Sequence, residues 1–569
     1  MGGHPRPDPP AAAPVTLLLG LDVGTTNVKA AVYEPDGRAV SVAVALTKTH
    51  HPRPGVAHHL ADELWDQALA AIREAVAGVP AARRAEIAGV AVASVGEAGV
   101  PLDAHGEPTA EVIAWYDTRS APQADALGAT IGRDALFAVS GLSLQPIWSA
   151  CKLLWLRDER PDAFARTVRW LMVADWVAYR LCGVQATDHS LASRTHAFHL
   201  RDRRWDESLL DEMGFPMGLF APLAESGAAL GPILPRVARQ TGLAPGTVVA
   251  AGGHDHVCGA LAAGVTEPDT MLNSLGTAEA LFLPIMTPIT DPVFGQEGYS
   301  QGAHVVPGRY YAFGGQYTTG AAIDWIRSII GPDLPYGEMA RAAAAEPVGS
   351  GGVTFLPHLR MAAPPVDDPL PGGAFIGLST DTTPGALTRA VLEGLAFQSR
   401  ESFERLLHHA GITDIVSLLA IGGVARNDLL MAIKAAVMDR PFTVAHIEEA
   451  TTLGAAMLGG IGAGVYPDAA AAIAALDRPC SPVVPDPAAV PAYDALYGQV
   501  FRPLYAALLP IKVAGRRVAR SLADEDSADF ASTLVRPPLD PPVPSQRPIS
   551  PGPAAAAPGP VAGETGLTG

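Results

Sequence analysis

Asp22, Gly24, Thr25, Thr26, Asn27 and Lys29 crowd one end of the apolar run that opens "LLLGLDVGTTNVKAAVYEPDG", Leu17–Gly37. An ordinary hairpin does not need so many polar groups at one tip. Gly24 has no side chain, so backbone amides there can approach a phosphate. Thr25 and Thr26 add hydroxyls, Asn27 an amide and Lys29 a positive charge. Asp22, at the strand end, is placed to hold a hydrated magnesium ion. The bland alternative is a hairpin with β-branched turn residues, and the hairpin taken alone leaves both readings open. A second stretch, "NSLGTAEA", carries Gly276 and Thr277 at the same relative place. By itself it reads as a turn. Two such tips from two domains could clamp one polyphosphate.

Further candidates lie between the tips. In "AGGHDHVCGALAAGV", Gly252 and Gly253 allow a tight turn before Asp255, a carboxylate able to take a proton from a hydroxyl. His254 reads as structural and His256 as a hydrogen-bonding partner of a ligand. A His-x-His metal site lacks zinc spacing. Glu97 follows a buried strand among small residues. Burying such a charge is costly without a partner, so either a hydroxyl-bearing ligand or a salt bridge to Arg119 is expected. Trp115, Asp117 and Arg119 alternate on a strand-like segment and could face one side. Gly422 and Gly423, after the strand "DIVSLLAIGG", leave bare backbone that could accept a flat adenine, with Asn427 to hydrogen-bond it; Gly-Gly before a helix is also common without a ligand.

The elements that must position these residues read as an alternation of short strands and helices. "TLLLGLDV", "KAAVYEP" and "AVSVAVALT" are three successive strands, followed by the amphipathic helix "ADELWDQALAAIREAVAGV" and the buried strand "EIAGVAVASV". The second half repeats the theme. "DTMLNSLGTAEALFLP" is a hairpin, "TRAVLEGLAFQSRESFERLLHHAG" a long helix, and "DIVSLLAIGG" a buried strand. Two such halves facing each other make a cleft, where ligands preferentially bind.

Composition narrows the classes. The chain has 569 residues, 48% hydrophobic and 17% charged, a globular balance. A net charge of −18 without a Lys/Arg cluster argues against nucleic acid. The Gly/Ala-rich segment "TTLGAAMLGGIGAGVY" is short for a membrane span and reads as a closely packed helix. Four scattered cysteines and no CxxC pair fit a reducing cytoplasm. Residues 1–14 read as a disordered Pro/Ala leader without secretory features, and 516–569 as a Pro/Ala-rich disordered tail.

These pieces, in this order, resemble the FGGY family of carbohydrate kinases, within the sugar kinase/Hsp70/actin superfamily, over roughly residues 15–510. "GLDVGTTNVKAAVY" and "NSLGTAEALF" look like the family's two phosphate motifs. "GGHDHVCGALAAG" is similar to the Gly-Gly-x-Asp stretch whose aspartate is the catalytic base, which implies Asp255. "IGGVARNDLLMAIKAAVMDRP" resembles the adenosine motif, and "KLLWLRDERPDAFARTVRWLMVADWVAYRLCG" and "ATDHSLASRT" follow the family pattern. The resemblance implies an α/β fold of two ribonuclease-H-like (actin-like ATPase) domains facing across a cleft. Residues 15–258 would bind sugar and phosphate, and 259–515 nucleotide. The implied activity is ATP- and Mg2+-dependent phosphorylation of a hydroxyl on a small sugar or polyol: a ketopentose such as xylulose or ribulose, a tetrose or a polyol. A gluconate-type sugar-acid kinase and a non-catalytic nucleotide-driven sugar sensor are the alternatives. On this reading Gly24, Thr25, Thr26, Asn27, Lys29, Gly276, Thr277, Gly320, Asp324, Gly422, Gly423 and Asn427 bind ATP, and Glu97, Trp115, Asp117, Arg119, Asp255 and His256 bind the acceptor. Asp22 and Asp255 hold the metal. The expected partner is a small molecule, with no nucleic acid and no membrane, and a homodimer as the further partner considered. Three departures fall where substrate choice is set. "GEA" at Gly96–Ala98 replaces the Gln-Met-His run of xylulose kinases, so that Glu97 looks like the glutamate that glycerol kinases place on substrate. "RMAAPP" follows "TFLPHL" where Gly-Glu-Arg is usual. His256 stands where Asn or Gln is usual.

Overall fold

The computed structural model describes residues 16–366, 368 and 372–525; the leader at 1–14 lies outside them. Three antiparallel strands, β1 (Leu17–Val23), β2 (Asn27–Tyr33) and β3 (Ala39–Leu46), form the meander expected from the alternating apolar runs. β4 (Ile87–Ser94), β5 (Ala229–Pro232) and β6 (Val248–His254) complete a sheet of order β5-β6-β4-β1-β2-β3, with β1, β4 and β6 parallel. The second sheet repeats this path. β7 (Thr270–Leu275), β8 (Glu279–Ile285), β9 (Ser300–Ala303) and β10 (Tyr310–Gln316) are antiparallel. β11 (Ser417–Ile421) and β12 (Phe442–Ala445) add in parallel beside β7, and β13 (Cys480–Val483) closes the edge. Each sheet thus has a hairpin whose tip carries Gly and Thr, next to parallel strands whose C-terminal ends point the same way. In sheets of this kind that end is where ligands bind.

The inner strands β1, β4 and β6 are buried on both faces and are therefore almost wholly apolar, whereas β3 and β5 at the edges are largely exposed. Leu17, Leu19 and Leu21 of β1 pack with α1 (Ala61–Gly78), which turns Leu64, Trp65, Ala68, Ile72 and Val76 inward. Leu18, Ala31 and Ala91 face the other way, into a core shared by two further helices. Those two are α3 (Asp255–Ala263) and α7 (Ala450–Gly462), numbered with α2 (Ser149–Glu159), α4 (Gly320–Ile330), α5 (Pro384–Ala410) and α6 (Asp428–Met438). α7 is the Gly/Ala-rich stretch, and its small residues have a steric cause. A Cβ on Gly20 would lie 1.7 Å from the Thr452 carbonyl oxygen, one on Gly89 2.1 Å from that of Gly459, and one on Gly454 1.9 Å from that of Cys258. Helix backbone therefore lies directly on strand and helix backbone. Although it follows the second sheet's parallel strands in sequence, α7 is seated on the first sheet.

Three expectations change at this level. Residues 114–120 are turns after a two-residue strand rather than a strand. The division expected at 258/259 falls inside α3. The segment expected to be a tail from 516 begins as helix, since α8 (Arg502–Glu525) runs to Glu525; residues 526–569 lie outside the described residues. Cys151, Cys182, Cys258 and Cys480 are free thiols. Among the described residues, no helix is long and apolar enough to cross a membrane.

Candidate active site

β6 delivers Asp255 to the first position of α3, where the peptide dipoles favour an anionic side chain. The approach requires glycine, because a Cβ on Gly252 would meet the Val92 carbonyl oxygen at 1.8 Å. The backbone N–H of His256 donates to Asp255 Oδ1 at 2.6 Å, and His254 Nε2 lies 3.2 Å from the same oxygen. Oδ2 makes no hydrogen bond among the described residues and is left to meet a ligand. His254 is buried, and burial holds it down at about 3, so it is a neutral imidazole. It packs so closely on Gly96 that a Cβ there would lie 2.7 Å from the ring. His256 is outside the core, its ring tilted at 58° to that of Phe313 with centroids 5.1 Å apart.

Asp22 is the penultimate residue of β1 and pairs across the hairpin with Lys29. Burial, then the neighbouring Asp255 carboxylate, push Asp22 up to about 8; Lys29 opposes this and Glu449 adds to it. Its Oδ1 is enclosed and without a partner among the described residues. An orphaned carboxylate oxygen beside a second carboxylate is what a divalent cation relieves, so the donor set fits magnesium. Asp22, Lys29, Asp255, His256, Gly422 and Glu449 line one cleft of about 190 Å3, whose other walls include Leu272, Phe282, Phe313, Ile421 and Ile447. Among the described residues no three His, Cys, Asp or Glu side chains form a metal cage. The ion would keep water and phosphate oxygens as ligands, as magnesium does.

Lys29 is already engaged: its ammonium donates to Glu449 Oε2 at 2.8 Å and Oε1 at 3.0 Å. The first tip is held by the Gly24 N–H donating to the Asn27 carbonyl and by Thr47, which donates to the Gly24 carbonyl at 2.8 Å. Thr26 is exposed at its apex. Trp115 Nε1 donates to Thr25 Oγ1 at 2.9 Å, so this tryptophan faces the tip. The second tip, Gly276–Thr277, is also exposed; its carbonyls accept N–H groups of Thr319, Gly320 and Ala321 at the start of α4. Gly422, with φ +100, would drive a Cβ to 2.3 Å from the Leu275 carbonyl oxygen, so glycine is required beside the tip; Gly423, at the start of the following turn, has nothing near such a Cβ. Asn427 caps α6, accepting the Leu430 N–H. Asp324 faces outward and accepts the Tyr336 hydroxyl, away from the cleft lining.

Around Glu97 the structure departs from the expected pairing. Glu97 is joined to Arg194, not to Arg119: Arg194 Nε and Nη2 donate to Glu97 Oε1 at 2.9 and 2.8 Å, and Nη1 to the Tyr311 hydroxyl at 3.3 Å. The guanidinium lies over Trp148 at 4.6 Å. Glu97 Oε2 makes no hydrogen bond among the described residues. Arg119 is bound to Asp117 Oδ2 and Glu111, and Asp117 also accepts the Ala57 N–H at 2.6 Å. Asp117 and Arg119 therefore build the turn, while Trp115 leaves it for Thr25. Lys152, on α2, is buried with its ammonium donating to the carbonyls of Glu97 at 2.8 Å, Ala114 at 3.0 Å and Ile113 at 3.5 Å. Burial brings it down to about 7. It ties the Glu97 loop to the Trp115 turn. Lys152, Arg194, Tyr311 and Glu449 were not singled out from the sequence. A lysine inside the apolar run "CKLLWL" was a legible signal; the others depend on partners distant along the chain.

The N-terminal domain model of the FGGY family of carbohydrate kinases matches residues 17–262, and its C-terminal domain model residues 271–463. A glycerol kinase of Citrifermentans bemidjiense is 33% identical over 479 residues, 82% of this chain and 94% of its own. A xylulose kinase of Bacillus subtilis is 26% identical, over 79% of this chain and 89% of its own. The crystal structure of a xyloylose kinase from Brucella ovis superposes with a TM-score of 0.80 at 28% identity, covering 87% of this chain and all of the other. With two domain models in order across two ribonuclease-H-like sheets, this chain belongs to the FGGY family of carbohydrate kinases, phosphotransferases that act on a hydroxyl group.

Proposed function

We propose that the protein transfers the terminal phosphoryl group of ATP to a hydroxyl of a small, neutral sugar or polyol in the cytoplasm. The observation that carries this reading is Asp255, its Oδ2 free at a helix N-terminus, in one cleft with the unpartnered oxygen of Asp22. Asp255 takes the proton of the acceptor hydroxyl as its oxygen bonds to the terminal phosphorus; the bond to the β-phosphate oxygen breaks and ADP leaves. Bound magnesium would neutralise phosphate charge, and Asp22 and Asp255 are the residues that would hold it. The tips at Gly24–Asn27 and Gly276–Thr277 position the triphosphate, and such positioning supplies most of the catalysis in phosphoryl transfer. The free thiols agree with a reducing compartment.

A neutral acceptor is favoured over a sugar acid because the cations on that side are spent. Arg194 serves Glu97 and Tyr311, Arg119 serves Asp117 and Glu111, and Lys152 serves three carbonyls. Glu97 Oε2 remains to accept a hydroxyl. The test is turnover with ATP and magnesium across ketopentoses, tetroses, polyols and aldonates. Acceptor-dependent ADP release with a neutral compound supports the reading; an aldonate as best substrate refutes the neutral class, and no acceptor dependence refutes the kinase assignment in favour of a nucleotide-driven sensor.

A further inference from the structure

Beneath the second Gly-Thr tip lies an ion pair that the reaction does not touch. Glu279 and Lys434 are completely enclosed, with Lys434 Nζ 2.7 Å from Glu279 Oε1. Glu279 opens β8, two residues after Thr277. Its carboxylate also accepts from Asn273 Nδ2 at 2.8 Å, Gln316 Nε2 at 2.8 Å and Ser399 Oγ at 2.5 Å, with Thr319 Oγ1 at 3.5 Å. Ser399 in turn accepts from Lys434. Burial alone would push Glu279 up, but Lys434 and these donors hold it below the usual carboxylate range.

The donors come from elements that lead to the nucleotide segments. Asn273 is on β7, three residues before Gly276. Thr319 directly precedes Gly320, whose N–H donates to the Gly276 carbonyl at 3.0 Å. Lys434 is on α6, the helix that follows Gly422–Asn427. Ser399 is on α5 and Gln316 ends β10. A buried ion pair costs desolvation that an apolar pair would avoid, and its best-attested benefit is fixing one register among alternatives.

We propose that Glu279 and Lys434 are positioning residues for the nucleotide, which lock the Gly276–Thr277 tip against the helix of the adenosine motif. The inference rests on the kinase reading and concerns the donor nucleotide alone. Both residues lie within 271–463, and among the described residues neither side chain has a hydrogen bond or ion pair to Asp255, Glu97 or Arg194.

The test compares Lys434→Met, Glu279→Gln and the double variant E279Q/K434M with the wild type, by ADP titration calorimetry, melting temperature and steady-state kinetics. Lys434→Met leaves a buried carboxylate uncompensated and should lose stability along with ADP affinity. The double variant removes both charges and should regain most of the melting temperature. It should keep a KM for ATP raised about tenfold, with the acceptor KM unchanged within about twofold. A double variant with wild-type melting and wild-type ATP KM would overturn the proposal, and so would equal rises in both KM values. Should the double variant fail to fold, Ser399→Ala removes one donor without charge. It should weaken ADP binding about threefold and spare the acceptor KM; unchanged ADP affinity would overturn the proposal. A wild type that neither binds ADP nor turns over ATP would bring down the kinase reading itself, whereas a binding wild type with indifferent variants brings down this inference alone.

Discussion

One oxygen of Asp255 accepts the His256 N–H and faces His254 Nε2, which leaves the other for the proposed role of base. Asp255→Asn keeps the shape but cannot accept a proton, so kcat should fall by about 10²–10⁴ while ADP affinity is retained; steady-state kinetics beside ADP titration checks both. Asp22 behaves differently, because its ionised form is the costly one in the metal-free protein. Its position is raised from 3.8 to about 8, so the folded state binds the proton more tightly than the unfolded chain. By linkage, its contribution to stability is complete below about 4 and is lost as the pH rises to about 8. Asp22→Asn cannot ionise. Its melting temperature, without metal or nucleotide, should match the wild type near pH 4, exceed it increasingly up to pH 8, and be accompanied by loss of activity. Scanning calorimetry across that range is the measurement. At this scale the sequence was half legible. Asp22 and Asp255 stand out because each lies at the C-terminal edge of a strand, close to glycines. Arg194 does not, because its meaning depends on Glu97, 97 positions away, brought near only by packing. Lys29 could be read as a phosphate ligand because Glu449, 420 positions on, is invisible from its surroundings.

Among the elements, both hairpins, the buried strands β4 and β11 and the helices α1 and α5 were readable from apolar periodicity and glycine punctuation; β6, where Gly252 and Gly253 read as a tight turn, β12, and the run of α8 past residue 516 were not. The turn at residues 114–120 was not: Trp115, Asp117 and Arg119 recur every second residue, which imitates a strand, but the Asp117 carboxylate folds the chain by binding Ala57 N–H and Arg119. The Gly/Ala-rich helix α7 was legible as close-packed, though not as to what it packs against. Its seat on β1 gives a sharp expectation. Gly20→Ala puts a methyl into the Thr452 carbonyl and should cost about 1–3 kcal/mol or more, because backbone rather than a side chain must yield. Gly218→Ala, with nothing within 4 Å of its Cβ, should stay within about 0.5 kcal/mol. Urea denaturation of the two variants checks the contrast.

Across the whole molecule, the contacts that join segments far apart in the chain include Lys29 with Glu449, and Glu97 through Arg194 to Tyr311. The first competes with the proposed phosphate role of Lys29. If Lys29 leaves Glu449 when a triphosphate arrives, Glu449→Gln should lower the KM for ATP and Lys29→Ala should raise it, with the acceptor KM little changed in both; parallel kinetics of the two variants decides it. The seam between α7 and the first sheet also bears on how such a protein could exchange parts with its relatives. A hybrid gene spliced near residue 264, with the first sheet from one parent and the second from another, would bring α7 from the wrong parent. Side-chain interfaces tolerate a mismatch by repacking, but here carbonyl oxygens stand where a methyl cannot fit. Successful hybrids should therefore inherit 450–462 together with 17–262, as an island carried across the splice, so the packing unit built on the first sheet is discontinuous in the gene.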